Sequence, residues 1–243
     1  NKQRDILKDF FSILKNSSNY IRLLFITGVS KFSKVSIFSE LNHLDDLTLD
    51  PHYAALCGYT QAELEHYFEP YLKIMPEGTL EKMKQWYNGY SWDAATFVYN
   101  PFSVLNFFQK QMYANFWFAS GTPTFLVKLL RKRFQYTLEA IEVSHTVLDS
   151  FRLEAFEVLD VNSILLQTGY LTIKEKTPYN TFILNYPNEE VKQAFAQFLL
   201  SEFTHTQVTV PYSANILRAL DENNLTEVIN IINNLIQAVP DQN

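Results

Sequence analysis

The chain has 243 residues, 47% of them hydrophobic and 19% charged, which excludes disorder for most of its length. Its formal net charge of -6 excludes a nucleic-acid binder driven by an overall excess of Lys and Arg. One cysteine, Cys57, excludes an intrachain disulfide and a cysteine-based zinc site.

No stretch approaches the roughly 20 apolar residues needed to cross a bilayer. The opening Asn-Lys-Gln-Arg does not read as a signal peptide. A reducing, cytoplasmic compartment is expected. Residue 1 is Asn rather than Met, so the natural start is expected upstream. Aromatics reach 15%, and rings in that number predict thick helix–helix packing.

In chain order, Ile6, Leu7, Phe10, Phe11, Ile13 and Leu14 have the spacing of an amphipathic helix over 2–15. Asn16 to Asn19 is a turn cluster. Ile21 to Val29 is short, apolar and rich in β-branched and aromatic residues. It predicts a strand buried on both faces, as in a parallel sheet. A short helix is expected over 34–42, and Leu47-Thr48-Leu49 is a strand candidate stopped by Asp50-Pro51.

Thr60 and Glu63 have capping-box spacing at the start of the next helix, which Pro70 ends or bends. A helix follows over 79–87, with Thr79 as candidate cap and Gly89 closing it. Pro101 and Pro123 open two more, the second ending in Lys128, Arg131, Lys132 and Arg133. Residues 137–160 show no clear period.

A helix over 161–168 is closed by Gly169, and strands at 170–173 and 181–184 form a hairpin with a long loop. Pro187 opens a further helix, and 213–238 is helical. One or two strands do not make a stable sheet. The strand at Ile21 therefore needs partners that the chain does not supply, and the front of a domain is expected to be missing. The helix–hairpin–helix unit at 161–202 resembles a winged helix.

An ordered set of segments carries a wider likeness. It runs through Phe25-Ile26-Thr27-Gly28-Val29-Ser30-Lys31-Phe32-Ser33-Lys34 and Leu49-Asp50-Pro51 with Leu56-Cys57-Gly58-Tyr59-Thr60. It continues with Trp86-Tyr87-Asn88-Gly89-Tyr90, Tyr99-Asn100-Pro101-Phe102-Ser103 and Asn115 to Thr124. It ends with Leu166 to Ile173 and Tyr186-Pro187-Asn188-Glu189-Glu190-Val191. Together, over about 20–203, these resemble the bacterial AAA-ATPase-like family that often carries a C-terminal PD-(D/E)XK nuclease-like domain.

The resemblance implies a mostly α fold with a few strands. It comprises the rear of a P-loop AAA-like core (1–59), a helical lid (60–134), a winged-helix-like subdomain (135–203) and a helical tail (204–243) leading toward a missing C-terminal domain. The sequence contains no G-x-x-x-x-G-K-[ST] and no nuclease motif. The missing partners are then an upstream nucleotide-binding segment and a downstream nuclease-like domain. No cofactor is expected in this chain alone; ATP and magnesium would be held by a longer parent, and the isolated chain would not catalyse.

By the same resemblance, Thr27 and Ser30 are sensor-1-like residues that orient an attacking water. Lys31 and Lys34 would face phosphate charge. Each also has a plain structural reading. Thr27-Gly28 can simply end a buried strand, and Lys31 and Lys34 can be solvated surface residues. The aromatic runs at 86–90 and 116–118 read as core rather than as base-stacking platforms, because few basic residues interleave with them. Residues 161–168 contain no Arg or Lys, so the winged-helix-like unit is expected to pack on protein rather than on DNA. The alternative function is a non-catalytic interaction or assembly module.

Overall fold

The computed structural model describes residues 2–28, 44–117, 141–144 and 161–204, together with 215, 218, 219, 222 and 224–237. Helix α1 spans Lys2–Asn16, as its apolar spacing predicts. Ile6, Phe10 and Ile13 recur at i, i+4 and i+7 along it, and all three are exposed.

A first hydrophobic core is built from four helices: α2 (Gln61–Tyr67), α3 (Glu69–Leu72), α4 (Thr79–Tyr87) and α5 (Pro101–Lys110). Thr60 and Glu63 form the reciprocal capping box at α2, with Thr60 N–H donating to Glu63 Oε2 at 2.9 Å and Glu63 N–H to Thr60 Oγ1 at 3.3 Å. Pro70 lies in the first turn of α3, so the break at Phe68 falls where a missing N–H costs nothing.

Thr79 does not cap α4. Gly78 occupies that position with φ 81°, and Thr79 Oγ1 instead donates to Pro76 O at 2.7 Å. Asn100 caps α5, accepting from the backbone N–H of Phe102 at 2.9 Å and of Ser103 at 3.3 Å. Leu64, Met83 and Phe107 sink into this core, each worth roughly 1.5–3 kcal/mol of burial. Phe68 stacks on Phe108 with centroids 4.7 Å apart.

A second core forms around a three-stranded antiparallel sheet of order β1-β3-β2. Its strands are β1 (Ile141–Ser144), β2 (Thr172–Lys176) and β3 (Thr181–Asn185), with Ile141 opposite Leu184 and Thr172 opposite Asn185. Phe182 and Leu184 alternate inward on β3, as a half-buried strand requires. The β2–β3 turn is short, with Asn180 at φ 58°, where a long loop is expected from the sequence.

Helix α6 (Val161–Gln167) precedes the hairpin and is closed by Gly169 at φ 80°, whose N–H donates to Leu166 O at 3.1 Å. Helix α7 (Glu189–Thr204) follows it. Asn188, not Pro187, opens α7, its side chain accepting from Val191 N–H at 3.1 Å. In the tail, α8 covers Leu225–Gln237. Among the described residues no helix is long and apolar enough to cross a membrane.

Two expected strands are corrected. Residues 21–28 form no strand, and Leu23 and Phe25 are 82% and 60% exposed. A strand is completed by neighbours, and no other described segment pairs with this one. Leu47 to Asp50 is a turn instead, closed by Asp50 N–H on Leu47 O at 3.3 Å. The helices expected over 34–42 and 123–134 lie outside the described residues.

Thr60→Ala removes the side-chain half of the α2 cap and should lower the unfolding free energy by about 1 kcal/mol. Urea unfolding followed by fluorescence measures this, and an unchanged midpoint would show that the cap adds nothing.

Candidate functional site

The two cores meet at a seam, and neighbouring residues are divided between them. Tyr87 and Tyr99 belong to the first core, Tyr90 and Val98 to the second. The chain turns back on itself here, with paired backbone bonds between Tyr90 and Val98 (2.9 and 3.2 Å) and between Tyr59 and Tyr99 (2.7 and 3.2 Å). Asp93 organises the turn between them, accepting from Ala95 N–H at 2.9 Å and Thr96 N–H at 2.7 Å.

Ser91 then adds one residue to the outer edge of β2. Its N–H donates to Thr172 Oγ1 at 2.6 Å, and its carbonyl accepts from Thr172 Oγ1 at 2.9 Å and from Ile173 N–H at 3.2 Å. Gly89 is the tightest point of the seam. A Cβ there would stand 2.1 Å from Pro187 O, and its φ of 109° disfavours any side chain. A bulge between Ile173 and Glu175 re-aims Lys174, whose Nζ donates to the same carbonyl at 2.8 Å.

At the centre lies Glu190, 0% exposed. Its Oε1 accepts from Trp117 N–H at 2.8 Å and from Ser103 Oγ at 3.0 Å, and its Oε2 accepts from Ser103 Oγ at 2.8 Å. No ion pair to it occurs among the described residues. Burial raises its carboxyl above the ordinary glutamate range, against the lowering effect of the Trp117, Ser103 and Phe116 donors. Burial also raises the Tyr87 and Tyr90 hydroxyls, and the charge on Glu190 adds to both shifts. Tyr87 is satisfied, donating to Ala114 O at 3.2 Å and accepting from Ala114 N–H at 3.1 Å. The buried Tyr90 hydroxyl has no hydrogen bond of normal geometry.

A cleft of about 520 Å³ runs beside the seam, lined by Tyr90, Trp92, Tyr99, Trp117, Tyr170 and Thr172 among others. Trp117 and Tyr170 meet edge to face at 5.1 Å. Both oxygens of Glu190 are already engaged, so in this arrangement it joins segments rather than serving as a general base. Among the described residues no group of His, Cys, Asp and Glu could hold a metal ion.

Of the residues expected from the sequence to act, Thr27 is exposed, and Ser30, Lys31 and Lys34 lie outside the described residues. The aromatic runs pack as expected, with Tyr87 and Phe116 in the first core, Tyr90 in the second and Trp117 against the second. In helix α6, Asn162 and Gln167 are half-buried and the other residues are buried.

An acidic pair such as Glu189-Glu190 suits the dipole of a helix start, which hides the inward role of the second carboxylate from the sequence. The available signal was phase: Glu190 falls in register with Val191, Ala194 and Phe195, all buried on one face of α7.

Gly89→Ala should lower the unfolding free energy by about 2 kcal/mol or more, through strain at positive φ and the clash with Pro187. Ser103→Ala should cost about 1–2 kcal/mol by stripping a donor from a buried carboxylate. Both are read from urea unfolding, and wild-type midpoints would mean that the seam does not support the fold.

The family model described as AAA-ATPase_like, Predicted AAA-ATPase, matches residues 1–38. A protein of Azotobacter chroococcum mcd 1, described as an uncharacterized protein in the vnfD 5' region, is 41% identical over 220 residues. That similarity covers 88% of this chain and 40% of the relative, so the chain spans well under half of the relative's length. No solved structure matches. The match at residues 1–38 supports an AAA-ATPase-like family for this chain.

Proposed function

We propose that the chain is the sensor and lid portion of an ATP-binding, AAA-ATPase-like module, completed by a nucleotide-binding segment of a longer parent. The observation that carries this reading is the segment 21–28. It is apolar, has no sheet partner among the described residues, and leaves Leu23 and Phe25 largely exposed. Such a segment is stable only when strands flank it and other elements cover its faces. The family match falls on the same region, and the longer relative supplies a precedent for additional chain.

In this reading residues 1–59 close the rear of the core and 60–134 form the lid. Residues 135–203 are the winged-helix-like subdomain and 204–243 lead on to a further domain. The sheet order β1-β3-β2, with a helix directly before the hairpin, supports the winged-helix-like reading. The phosphates and magnesium are held by the parent's own P-loop and acidic strand, since no P-loop sequence occurs here. Thr27 then stands at a strand end near the reacting phosphate, with Ser30, Lys31 and Lys34 just beyond it. ATP binding shifts the lid relative to the core and so regulates an attached nuclease-like domain.

The exposed stripe Ile6, Phe10 and Ile13 on α1 favours one other reading, an assembly module that holds a partner without nucleotide. Calorimetry with Mg-ATP separates the two when run on this chain and on the parent extended upstream. The extended chain should bind and the short chain should not. Thr27→Ala in the extended chain should keep binding and slow hydrolysis roughly tenfold or more. If neither chain binds, the assembly reading replaces the nucleotide one. If the short chain binds alone, the phosphates do not sit where this reading puts them.

A further inference from the structure

We propose that Glu190 is a protonation-controlled clasp, which takes up a proton as the two cores close along their seam and gives it up as they part. The geometry that motivates this is a joint with one acidic group at its centre. Ser103 comes from α5, Trp117 from the segment after it, and Glu190 from α7. The bonds therefore tie residues 87 and 73 positions apart in the sequence. Separating the first core from α7 breaks both Ser103 bonds and opens the carboxyl, and the Trp117 N–H it accepts from, to water.

Among the described residues, the groups facing Glu190 from each packed element lack a compensating positive charge. From α4 and the turn after it come the Tyr87 and Tyr90 hydroxyls, and from α5 the Ser103 hydroxyl. From 116–117 come two backbone N–H groups. Nearby cations are engaged elsewhere: Lys174 Nζ bonds Pro187 O at 2.8 Å, and Lys110 Nζ lies 4.8 Å from the Phe116 ring centroid. On α7 itself, Lys192 is exposed and Glu189 half-buried.

The same positions serve the neutral acid well. Trp117 N–H continues to donate to Oε1, while a proton on Oε2 is donated to Ser103 Oγ along the 2.8 Å contact. Above the ordinary carboxyl value, closing thus binds one proton and opening releases it to solvent, with no other covalent bond changed.

The sign follows from linkage. In the closed state burial raises the carboxyl above its ordinary value, and in the open state water restores that value. Below the ordinary value both states are protonated and closure is fully favoured. As pH rises through the raised value the closed state must hold a buried anion, and closure weakens by at most about tenfold per pH unit.

The test uses the full chain. The amide exchange of Trp117, corrected for intrinsic rate, is followed from about pH 5 to about pH 8 alongside urea unfolding. Wild-type protection should fall with rising pH. Glu190→Gln keeps an acceptor for Trp117 and a donor for Ser103 but cannot ionise. It should flatten the profile and match or exceed wild-type protection at the upper end. A wild-type slope retained in Glu190→Gln would overturn the proposal. Should that variant fail to fold, Ser103→Ala provides the second arm. It removes the hydroxyl whose hydrogen bond lowers the closed-state carboxyl, so the fall in protection should extend to higher pH, and an unchanged profile would equally count against the clasp.

Discussion

The described structure turns on a carboxylate placed out of reach of water and without a cation. A buried Glu is unfavourable unless its oxygens are met by donors, and among the described residues Glu190 meets that condition through Ser103 and the Trp117 N–H. Ser103 comes from a helix of the first core and Glu190 from a helix of the second, while Trp117 follows Phe116 of the first core with its ring packed against the second. The two cores are therefore not independently satisfied, because leaving the seam would strand a polar group on each side. The close approach at Gly89 and the sharing of Pro187 O with Lys174 are consequences of bringing α7 near enough for those bonds.

This joint is assembled from short, scattered segments. Asn88 to Ser91, Asn100 to Ser103, Asn115 to Trp117, Gly169 to Thr172 and Tyr186 to Val191 lie far apart in sequence, yet each supplies a contact at the seam or its cleft. Their unusual residue types are geometric requirements. A glycine is needed against a carbonyl, a hydroxyl between two carboxylate oxygens, and an aromatic ring where a helix end meets a turn.

Local chemistry was readable wherever it is self-contained. The Thr60 and Glu63 box, Pro101 at a helix start and Gly169 after α6 each depend on residues within one turn of chain, and each stands where the pattern placed it. The misses are of a different kind. The strands expected at 21–29 and 47–49 have strand-like composition, but a strand is a relation between segments. Thr79 lost its capping role to Gly78 because the preceding turn requires a left-handed residue there. Glu190 was hidden because a helix dipole explains an acidic first turn equally well, and only the far-off Ser103 and Trp117 reveal the other use.

Between the N-terminal residues 2–28 and the seam lies the stretch 44–60, which touches both cores. Leu49 and Ala55 pack against the second, while Tyr59 pairs with Tyr99 and packs against the first. Gly58 is pressed on the Val98 side chain, 2.5 Å from where its Cβ would be, and Val98 sits where the chain crosses from one core to the other. An element that completes residues 21–28 would thus be connected through this stretch to the region where the two cores join. Coupling of that kind needs an element with two arrangements rather than a wire of contacts. A seam centred on one ionisable group is such an element, because its closed and open forms differ in hydration, hydrogen bonding and charge together.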